Sequence, residues 1–236
     1  MQNKKRLGIL GGMGSEATEV FFKRIIDHTK VENDREHLDI FIYNHASLPD
    51  RTEYIISGKQ EELWEILEKD IQLLQNVESD YVAIPCNTCH YFGDRIANAT
   101  NGHFINMIET TAAYAKKMHH EKVAVMATTG TVKSDLYGKF FSRYGIETIY
   151  PDEDMQEKVM KIIYDQIKKG DKGSMTDFSA VVDSLRDKGC DAVALACTEL
   201  SVFRENYLLT DTFFIDALDV LAQACITACG GTLRNL

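Results

Sequence analysis

Short apolar runs alternate along the chain with longer amphipathic segments. A short, nearly continuous apolar run is typical of a parallel strand buried on both faces, whereas apolar residues every three to four positions indicate a helix. The predicted strands are 7–10, 38–43, the run leading into Cys86, 104–105, 122–126, 146–149, the run leading into Cys197, and 213–215. The predicted helices are 16–30, 61–76, 90–99, 108–118, 135–144, 153–169, 175–188 and 218–228. This alternation predicts an α/β fold built from parallel βαβ units.

One stretch occurs twice, as Asp80–Thr88 and as Asp191–Thr198. Aligned on Cys86 and Cys197, the two copies share Asp, Val, Ala and Cys at equivalent positions, 111 residues apart. The first strands of the two halves are separated by a similar 116 residues, measured from Gly8 to Ala124. The repeat predicts a duplicated α/β unit with pseudo-two-fold symmetry. No Pro/Gly-rich linker separates the copies, and we expect the boundary near 102–108.

Each repeated strand ends in a cysteine followed by small hydroxyl or amide residues, Asn87 and Thr88 in one copy and Thr198 in the other. Ligands of parallel sheets bind at the carboxyl ends of the strands. Racemising a carbon acid requires one group that takes a proton and another that delivers a proton to the opposite face, which a thiolate and a thiol can do. Most free cysteines are only small buried hydrophobes. The matched positions of Cys86 and Cys197 favour a functional pair.

The overall charge narrows the class of partner. A formal net charge of −10 disfavours binding to nucleic acid or to an anionic membrane, since both require a basic surface. The basic N-terminus is followed by a short apolar stretch interrupted by glycines, unlike a signal peptide, and no apolar run approaches the roughly 18 residues of a membrane span. Six cysteines without an export signal indicate reduced thiols, so we expect a cytoplasmic protein.

Two further motifs have more than one interpretation. The segment 12–17 fits G-x-G-x-x-A between a strand and a helix, but the acidic residue that would bind a ribose is missing after the second strand. An anion site for a carboxylate is the better interpretation of this turn. The segment Cys86–His90 matches a haem-attachment motif of exported proteins, and Cys86 with Cys89 could form a redox pair or half of a zinc site. The second copy has no counterpart of Cys89.

Several hydroxyls and cations could bind carboxylates. The threonines at strand ends or turns could bind a carboxylate or cap helices; they are Thr88, Thr128, Thr129, Thr131 and Thr198. Arg51, in a loop, and Lys168, near a helix end, are candidate cations for a second carboxylate, although most such side chains are solvated surface.

Four motifs, in this order along nearly the whole chain, carry a resemblance to a known family. They are 10–18 (LGGMGSEAT), 85–90 (PCNTCH), 127–131 (ATTGT) and 197–200 (CTEL). Together they resemble the cofactor-independent aspartate/glutamate racemase superfamily, and within it the aspartate racemases.

This resemblance implies two pseudo-symmetric α/β domains with mainly parallel sheets and the active site between them. The C-terminal helix returns to the first domain, so we expect residues 1–105 with 212–236 to form one domain and 106–211 the other. The resemblance also implies a homodimer, a small acidic amino acid as substrate, and no pyridoxal phosphate, metal or nucleotide.

The resemblance further implies roles for individual residues. Cys86 and Cys197 form the acid/base pair, with Cys197 acting on the L-enantiomer and Cys86 on the D-enantiomer. The substrate-binding positions are Met13, Asn87, Thr88, Thr129 and Thr198, together with Arg51 and Lys168 as the clamp for the side-chain carboxylate. Lys169 is the alternative to Lys168. The chain departs from the family pattern at Ser15, usually Pro, and at Cys89, usually Ala, which places a second thiol beside Cys86 that is open to oxidation.

The expected function is therefore cofactor-independent interconversion of L- and D-aspartate. Alternatives of the same fold are a broader or glutamate-specific amino-acid racemase, or an isomerase acting on a hydantoin or a maleate-like diacid. From other classes, a non-catalytic binder of acidic metabolites and a thiol redox protein using Cys86 and Cys89 remain open.

Overall fold

The computed structural model describes residues 4–234, which form eight strands and eleven α-helices. The strands are β1 Leu7–Gly11, β2 Ile40–Asn44, β3 Tyr81–Ala83, β4 Phe104–Ile105, β5 Lys122–Ala127, β6 Glu147–Ile149, β7 Ala192–Ala196 and β8 Phe214–Asp216. The helices are α1 Ser15–His28, α2 Arg51–Ile56, α3 Gln60–Asn76, α4 Gly93–Ala99, α5 Met107–Lys117, α6 Thr129–Lys133, α7 Leu136–Arg143, α8 Glu153–Met160, α9 Met175–Asp187, α10 Thr198–Tyr207 and α11 Ala217–Ala228. Over these described residues, no helix combines the length and the apolarity needed to cross a membrane.

The strands form two sheets of four, and every strand pair in them is parallel. The first sheet has the order β2-β1-β3-β4 and the second the order β6-β5-β7-β8, which is the same order in the second half of the chain. The predicted α/β class with parallel strands is confirmed.

The chain divides into two compact units. The first lies within Met1–Met107 and Leu218–Leu236, and the second is Ile108–Ala217. The sequence assigned 212–217 to the N-terminal domain, whereas β8 pairs with β7 in the second sheet, at Ala194↔Ile215. Helix α11 belongs to the first unit from Leu218 onward, and the following segment stays there because the Lys5 N–H donates to the Cys229 carbonyl at 3.1 Å.

The core of the first unit packs the apolar face of α3 over the sheet. Leu63, Leu67, Ile71 and Leu74 recur at the spacing of one helix face, and all four are buried. Burying a side chain of this size contributes about 1.5–3 kcal/mol. Strand β1 is buried along its whole length between β2 and β3, which explains its lack of polar residues.

One predicted helix ends earlier than expected, and the sequence did not predict α2 or α10. The helix expected over 153–169 ends as α8 at Met160 and continues as a π-helical turn, Lys161–Gln166, and a 3₁₀ turn, Ile167–Lys169. The sequence placed Arg51 in a loop, whereas in the structure Arg51 is the first residue of α2. Asp50 caps this helix by accepting the Glu53 N–H at 2.9 Å. Helix α10 was also missed because its first six residues are all buried, which leaves no polar face to reveal the helical period.

Candidate active site

The two repeated cysteines occupy equivalent places, each in its own unit. Cys86 lies three residues beyond the last residue of β3 and immediately precedes the 3₁₀ segment Asn87–Phe92. Cys197 directly follows β7 and immediately precedes α10. Both have extended backbones, with φ/ψ of −153°/108° and −147°/137°, and both side chains are largely buried. Each thiol thus stands at the carboxyl end of a strand and at the start of a helical turn, where anions and thiolates are stabilised.

In the first unit, an arginine lies beside the thiol. Arg51 is buried, and its Nη1 donates to the carbonyls of Leu48 at 3.3 Å and Pro49 at 2.8 Å. Burial by itself would lower the pKa of Arg51, but the adjacent Cys86 and Cys89 sulfurs and the Asp50 carboxylate together raise it, so the guanidinium stays charged. Within residues 4–234 the buried Arg51 Nε has no hydrogen-bond partner. We name Met13, Arg51, Cys86, Asn87 and Thr88 the first thiol site.

Cys89 is a completely buried neighbour of this site. Its sulfur lies 3.2 Å from Met13 Sδ, which brings the turn after β1 against the turn after β3. A hydrogen bond to Cys86, burial and the charge of Cys86 raise the pKa of Cys89 well above its usual value, and the opposing effect of Arg51 is smaller. Cys89 therefore remains a thiol while it supports Cys86.

His90 fixes the backbone of Cys86. Its Nδ1 lies 2.9 Å from the Cys86 carbonyl oxygen, and its Nε2 accepts the Met107 N–H at 2.9 Å. Burial lowers the pKa of His90 to about 4, against smaller opposing effects of its hydrogen bonds to the Cys86 and Asn87 backbone. The ring is therefore neutral, with the proton on Nδ1. The sequence showed His90 only as part of a motif and gave no sign of this positioning role.

The glycine-rich turn owes its composition to packing. A Cβ on Gly12, which has φ +91°, would lie 2.4 Å from the His45 backbone carbon. The Gly12 N–H already donates to Thr18 Oγ1 at 3.0 Å, and so does not point to a bound anion. Met13 is the member of this turn that reaches the first thiol site.

In the second unit, a carboxylate lies beside the thiol. Cys197 Sγ donates to Glu199 Oε2 at 2.8 Å, and Thr198 Oγ1 lies 3.3 Å from the same oxygen. All three residues are buried. Burial, followed by the charge of Glu199 and its hydrogen bond, raises the pKa of Cys197 well above its usual value, while Lys168 acts in the opposite direction. We name Lys168, Cys197, Thr198 and Glu199 the second thiol site; Glu199 was visible in the sequence only as part of the motif at 197–200.

The two candidate lysines have different surroundings. Lys168 Nζ lies 3.9 Å from the ring centroid of Tyr164, and its charge acts on Cys197. Lys169 pairs instead with Asp165 at 2.9 Å, where both side chains are exposed. This arrangement supports Lys168 rather than Lys169 as the cation of the second thiol site.

The three threonines after β5 have different surroundings. Thr128 caps α6 by accepting the Thr131 N–H at 3.4 Å, and the two buried hydroxyls lie 3.3 Å apart. Thr129 is partly exposed and lines a cavity of about 650 Å³ together with Tyr164, the residue that contacts Lys168. Of these three threonines, Thr129 is therefore the one placed to meet a ligand.

The chain matches a described family over most of its length. The sequence signature of the Asp/Glu/hydantoin racemases covers residues 10–225. An aspartate racemase from Picrophilus torridus has a similar structure, with a TM-score of 0.84 and 31% identity over 98% of this chain and 96% of that chain. An aspartate racemase homologue from Pyrococcus horikoshii OT3 shares the fold, with a TM-score of 0.76 and 20% identity over 95% and 99% of the two chains. The broad-specificity amino-acid racemase RacX of Bacillus subtilis (strain 168) is 26% identical over 230 residues, covering 94% of this chain and 96% of the relative.

The signature, the identity and the shared fold agree with one another and with the paired thiol sites. The chain therefore belongs to the Asp/Glu/hydantoin racemase family, and its enzyme class is that of an amino-acid racemase.

Proposed function

We propose that the protein is a cofactor-independent racemase that interconverts L- and D-aspartate through Cys86 and Cys197. The observation that carries this proposal is the equivalence of the two thiols. Each stands at the carboxyl end of the corresponding strand of its unit, at the start of a helical turn, with a cation of the same unit close enough to act on it.

The reaction needs two groups that exchange roles. With L-aspartate bound, the Cys197 thiolate takes the α-proton and becomes a thiol, while the Cys86 thiol gives its proton to the other face of the α-carbon. The product is D-aspartate, and the reverse reaction starts with the Cys86 thiolate. This assignment of the enantiomers follows the family resemblance. General acid–base catalysis by a positioned group contributes typically about 10²–10⁴-fold.

The residues beside the thiols would hold the amino acid. Asn87, Thr88, Thr129 and Thr198 supply the hydroxyl and amide groups for the α-carboxylate and the amino group, and Met13 packs beside Cys89 at the same end of the first sheet. Charge accumulates on the α-carboxylate as the proton leaves, so donors aimed at it stabilise the transition state.

Arg51 and Lys168 would bind the side-chain carboxylate. A guanidinium recognises a carboxylate through paired N–H donors, and Arg51 keeps a buried Nε without a partner in the described chain. Lys168 is exposed and rests on the ring of Tyr164. A substrate with two carboxylates is the one that would use both cations.

A broader amino-acid racemase is the second candidate. It is favoured by the near-complete alignment with the broad-specificity racemase of Bacillus subtilis. An exposed lysine on a long flexible stem constrains a substrate side chain less than a buried arginine does. Initial rates with aspartate, glutamate, alanine, serine and lysine separate the two candidates: a preference for aspartate of tenfold or more supports the first.

The test of the proposal is racemisation, followed by circular dichroism, in single-cysteine variants. Cys86→Ala and Cys197→Ala should each lose at least about 10³-fold in rate from either enantiomer, since each direction needs both groups. Cys190→Ala is the matched control, because Cys190 is a buried thiol of the second unit that precedes β7 and lies outside both thiol sites; it should keep wild-type activity. Activity retained in either of the first two variants would reject two-thiol chemistry.

The proposal extends to organisation and assembly. We take the two compact units to be the two domains of the family, and propose a cytoplasmic homodimer on the strength of the resemblance. Light scattering after size-exclusion chromatography should give about twice the mass of one chain.

A further inference from the structure

The two thiols are equivalent in position but not in the charge beside them. In the second thiol site the neighbour of Cys197 is the Glu199 carboxylate, at 2.8 Å. In the first thiol site the neighbour of Cys86 is the Arg51 guanidinium, which interacts with it both electrostatically and through a hydrogen bond. The repeat therefore duplicates the thiol but reverses the sign of the adjacent charge.

The surroundings of Cys197 favour the neutral thiol. The Cys197 thiol donates to Glu199 Oε2, and an anion at 2.8 Å opposes a second negative charge on sulfur. Lys168, the cation that acts on Cys197, is exposed to solvent, which screens its charge. Burial raises the pKa of Tyr137 of α7, so the phenol stays neutral; Tyr150, Cys197 and Asp216 of β8 act on it in the same direction.

The surroundings of Cys86 favour the thiolate. Arg51 is buried beside it. A guanidinium stabilises sulfur in its anionic form. Asp50, whose carboxylate acts on Arg51, caps α2 through its bond to the Glu53 N–H. His90 is neutral and contributes a hydrogen bond to the Cys86 carbonyl rather than a charge.

We propose that Glu199 is a positioning residue that keeps the proton on Cys197 in the substrate-free enzyme, so that the resting protein holds its base at Cys86 and its acid at Cys197. This inference rests on the proposed function, since it assigns starting roles to the same two thiols. When Cys197 serves as the base, its S–H bond breaks and an O–H bond forms on a Glu199 oxygen, while Cys86 takes a proton from water and so becomes the acid. After the turnover Glu199 returns its proton to water. The pair Cys197–Glu199 thus holds one proton in the resting form.

Thiol alkylation measures this difference without any substrate. Iodoacetamide reacts with the thiolate, and peptide mass spectrometry quantifies the modification of Cys86 and Cys197 separately between pH 6 and 10. The midpoint pH of each rate profile reports ionisation independently of how accessible the thiol is. The wild-type protein should give a midpoint at least one unit lower for Cys86 than for Cys197.

Glu199→Gln removes the charge and keeps the side-chain size. It should lower the Cys197 midpoint by about one unit or more and leave the Cys86 midpoint in place. Glu205→Gln is the matched control, because Glu205 is an exposed residue of the same helix, and it should move neither midpoint. Should Glu199→Gln fold poorly by far-UV circular dichroism, Glu199→Asp, which retains the charge, should keep the high Cys197 midpoint.

Equal midpoints in the wild-type protein, a lower midpoint for Cys197, or an unchanged Cys197 midpoint in Glu199→Gln would each overturn the inference. Its failure is distinguishable from that of the proposed function. Midpoints that behave as predicted in a protein without racemase activity would leave the charge asymmetry in place and reject the racemase chemistry, whereas an active racemase with equal midpoints would do the opposite.

Discussion

The imidazole of His90 holds the backbone of Cys86, with Nδ1 2.9 Å from the carbonyl oxygen. Because Nε2 also accepts the Met107 N–H, one neutral ring satisfies two buried backbone groups. Leaving such a group without its partner costs about 1–3 kcal/mol. We expect His90→Ala to reduce the free energy of unfolding in urea by about 2–5 kcal/mol and to reduce kcat more than it changes KM. A variant with unaltered stability would show that the ring does not anchor this turn.

The same histidine predicts an acid-sensitive stability. Its pKa is about 4 in the folded protein and about 6.5 when unfolded, so the unfolded chain binds more protons between these values. The contribution of neutral His90 to the free energy of unfolding is complete above pH ~6.5. It falls by about 3 kcal/mol as the pH is lowered toward 4. His90→Gln keeps a donor and an acceptor but does not titrate. Urea unfolding at pH 7 and pH 4.5 should show a smaller loss for this variant than for the wild-type protein; equal losses would contradict the assignment.

Arg51 should set the preference for a second carboxylate. Arg51→Gln is expected to lower kcat/KM for aspartate by about 10–100-fold, because a buried charged hydrogen bond of about 1.5–3 kcal/mol is lost. The rate with alanine should fall less than the rate with aspartate, because alanine loses only the effect of Arg51 on Cys86 and not a contact with a side-chain carboxylate. Arg95→Gln is the control, since Arg95 is a half-exposed arginine of the same unit that pairs with Glu61. Parallel losses for aspartate and alanine would assign Arg51 to the Cys86 thiol alone rather than to the substrate side chain.

Tyr164 should act through Lys168. A cation over an aromatic face at an exposed site is worth about 0.5–1 kcal/mol, so Tyr164→Leu should raise KM for aspartate about two- to fivefold by loosening the ammonium. Tyr164→Phe keeps the ring and should behave like the wild-type protein. A loss shared equally by both variants would point to the hydroxyl instead of the ring face.

The turn after β1 should tolerate no side chain at Gly12. Gly12→Ala combines a positive φ with a Cβ 2.4 Å from the His45 backbone, whereas Gly58→Ala has a positive φ of +78° but open space around it. Gly58→Ala should cost about 1–2 kcal/mol, and Gly12→Ala distinctly more. Thermal unfolding of the two variants measures the difference, and equal melting temperatures would remove the packing explanation of the glycine-rich turn.

The sequence predicted the features that repeat and missed those that break a period. The alternation of elements gave the parallel α/β sheets, and the duplicated strand identified Cys86 and Cys197 as an equivalent pair. Glu199 stayed hidden because it lies in a helix turn that is buried on all sides. The position of the Arg51 side chain beside Cys86 depends on the Asp50 cap and on the Leu48 and Pro49 carbonyls. Hydrophobic periodicity does not predict such contacts.

The π-helical turn Lys161–Gln166 was missed for a related reason. Its residues continue the helical spacing of α8, and periodicity does not separate an α-helix from a short widened turn within it. This turn carries Tyr164 and precedes Lys168, so it sets where the cation of the second thiol site lies.

Isotope labelling during early turnover of D-aspartate in D₂O tests the two-base account most directly. With separate bases for the two faces, the first L-aspartate formed carries one solvent deuterium at the α-carbon, while the recovered D-aspartate carries none. Proton NMR together with chiral chromatography measures both pools at less than about one-tenth conversion. Protium retained in the product, or deuterium appearing equally fast in the recovered substrate, would show that a single base serves both faces and would contradict the paired roles of Cys86 and Cys197.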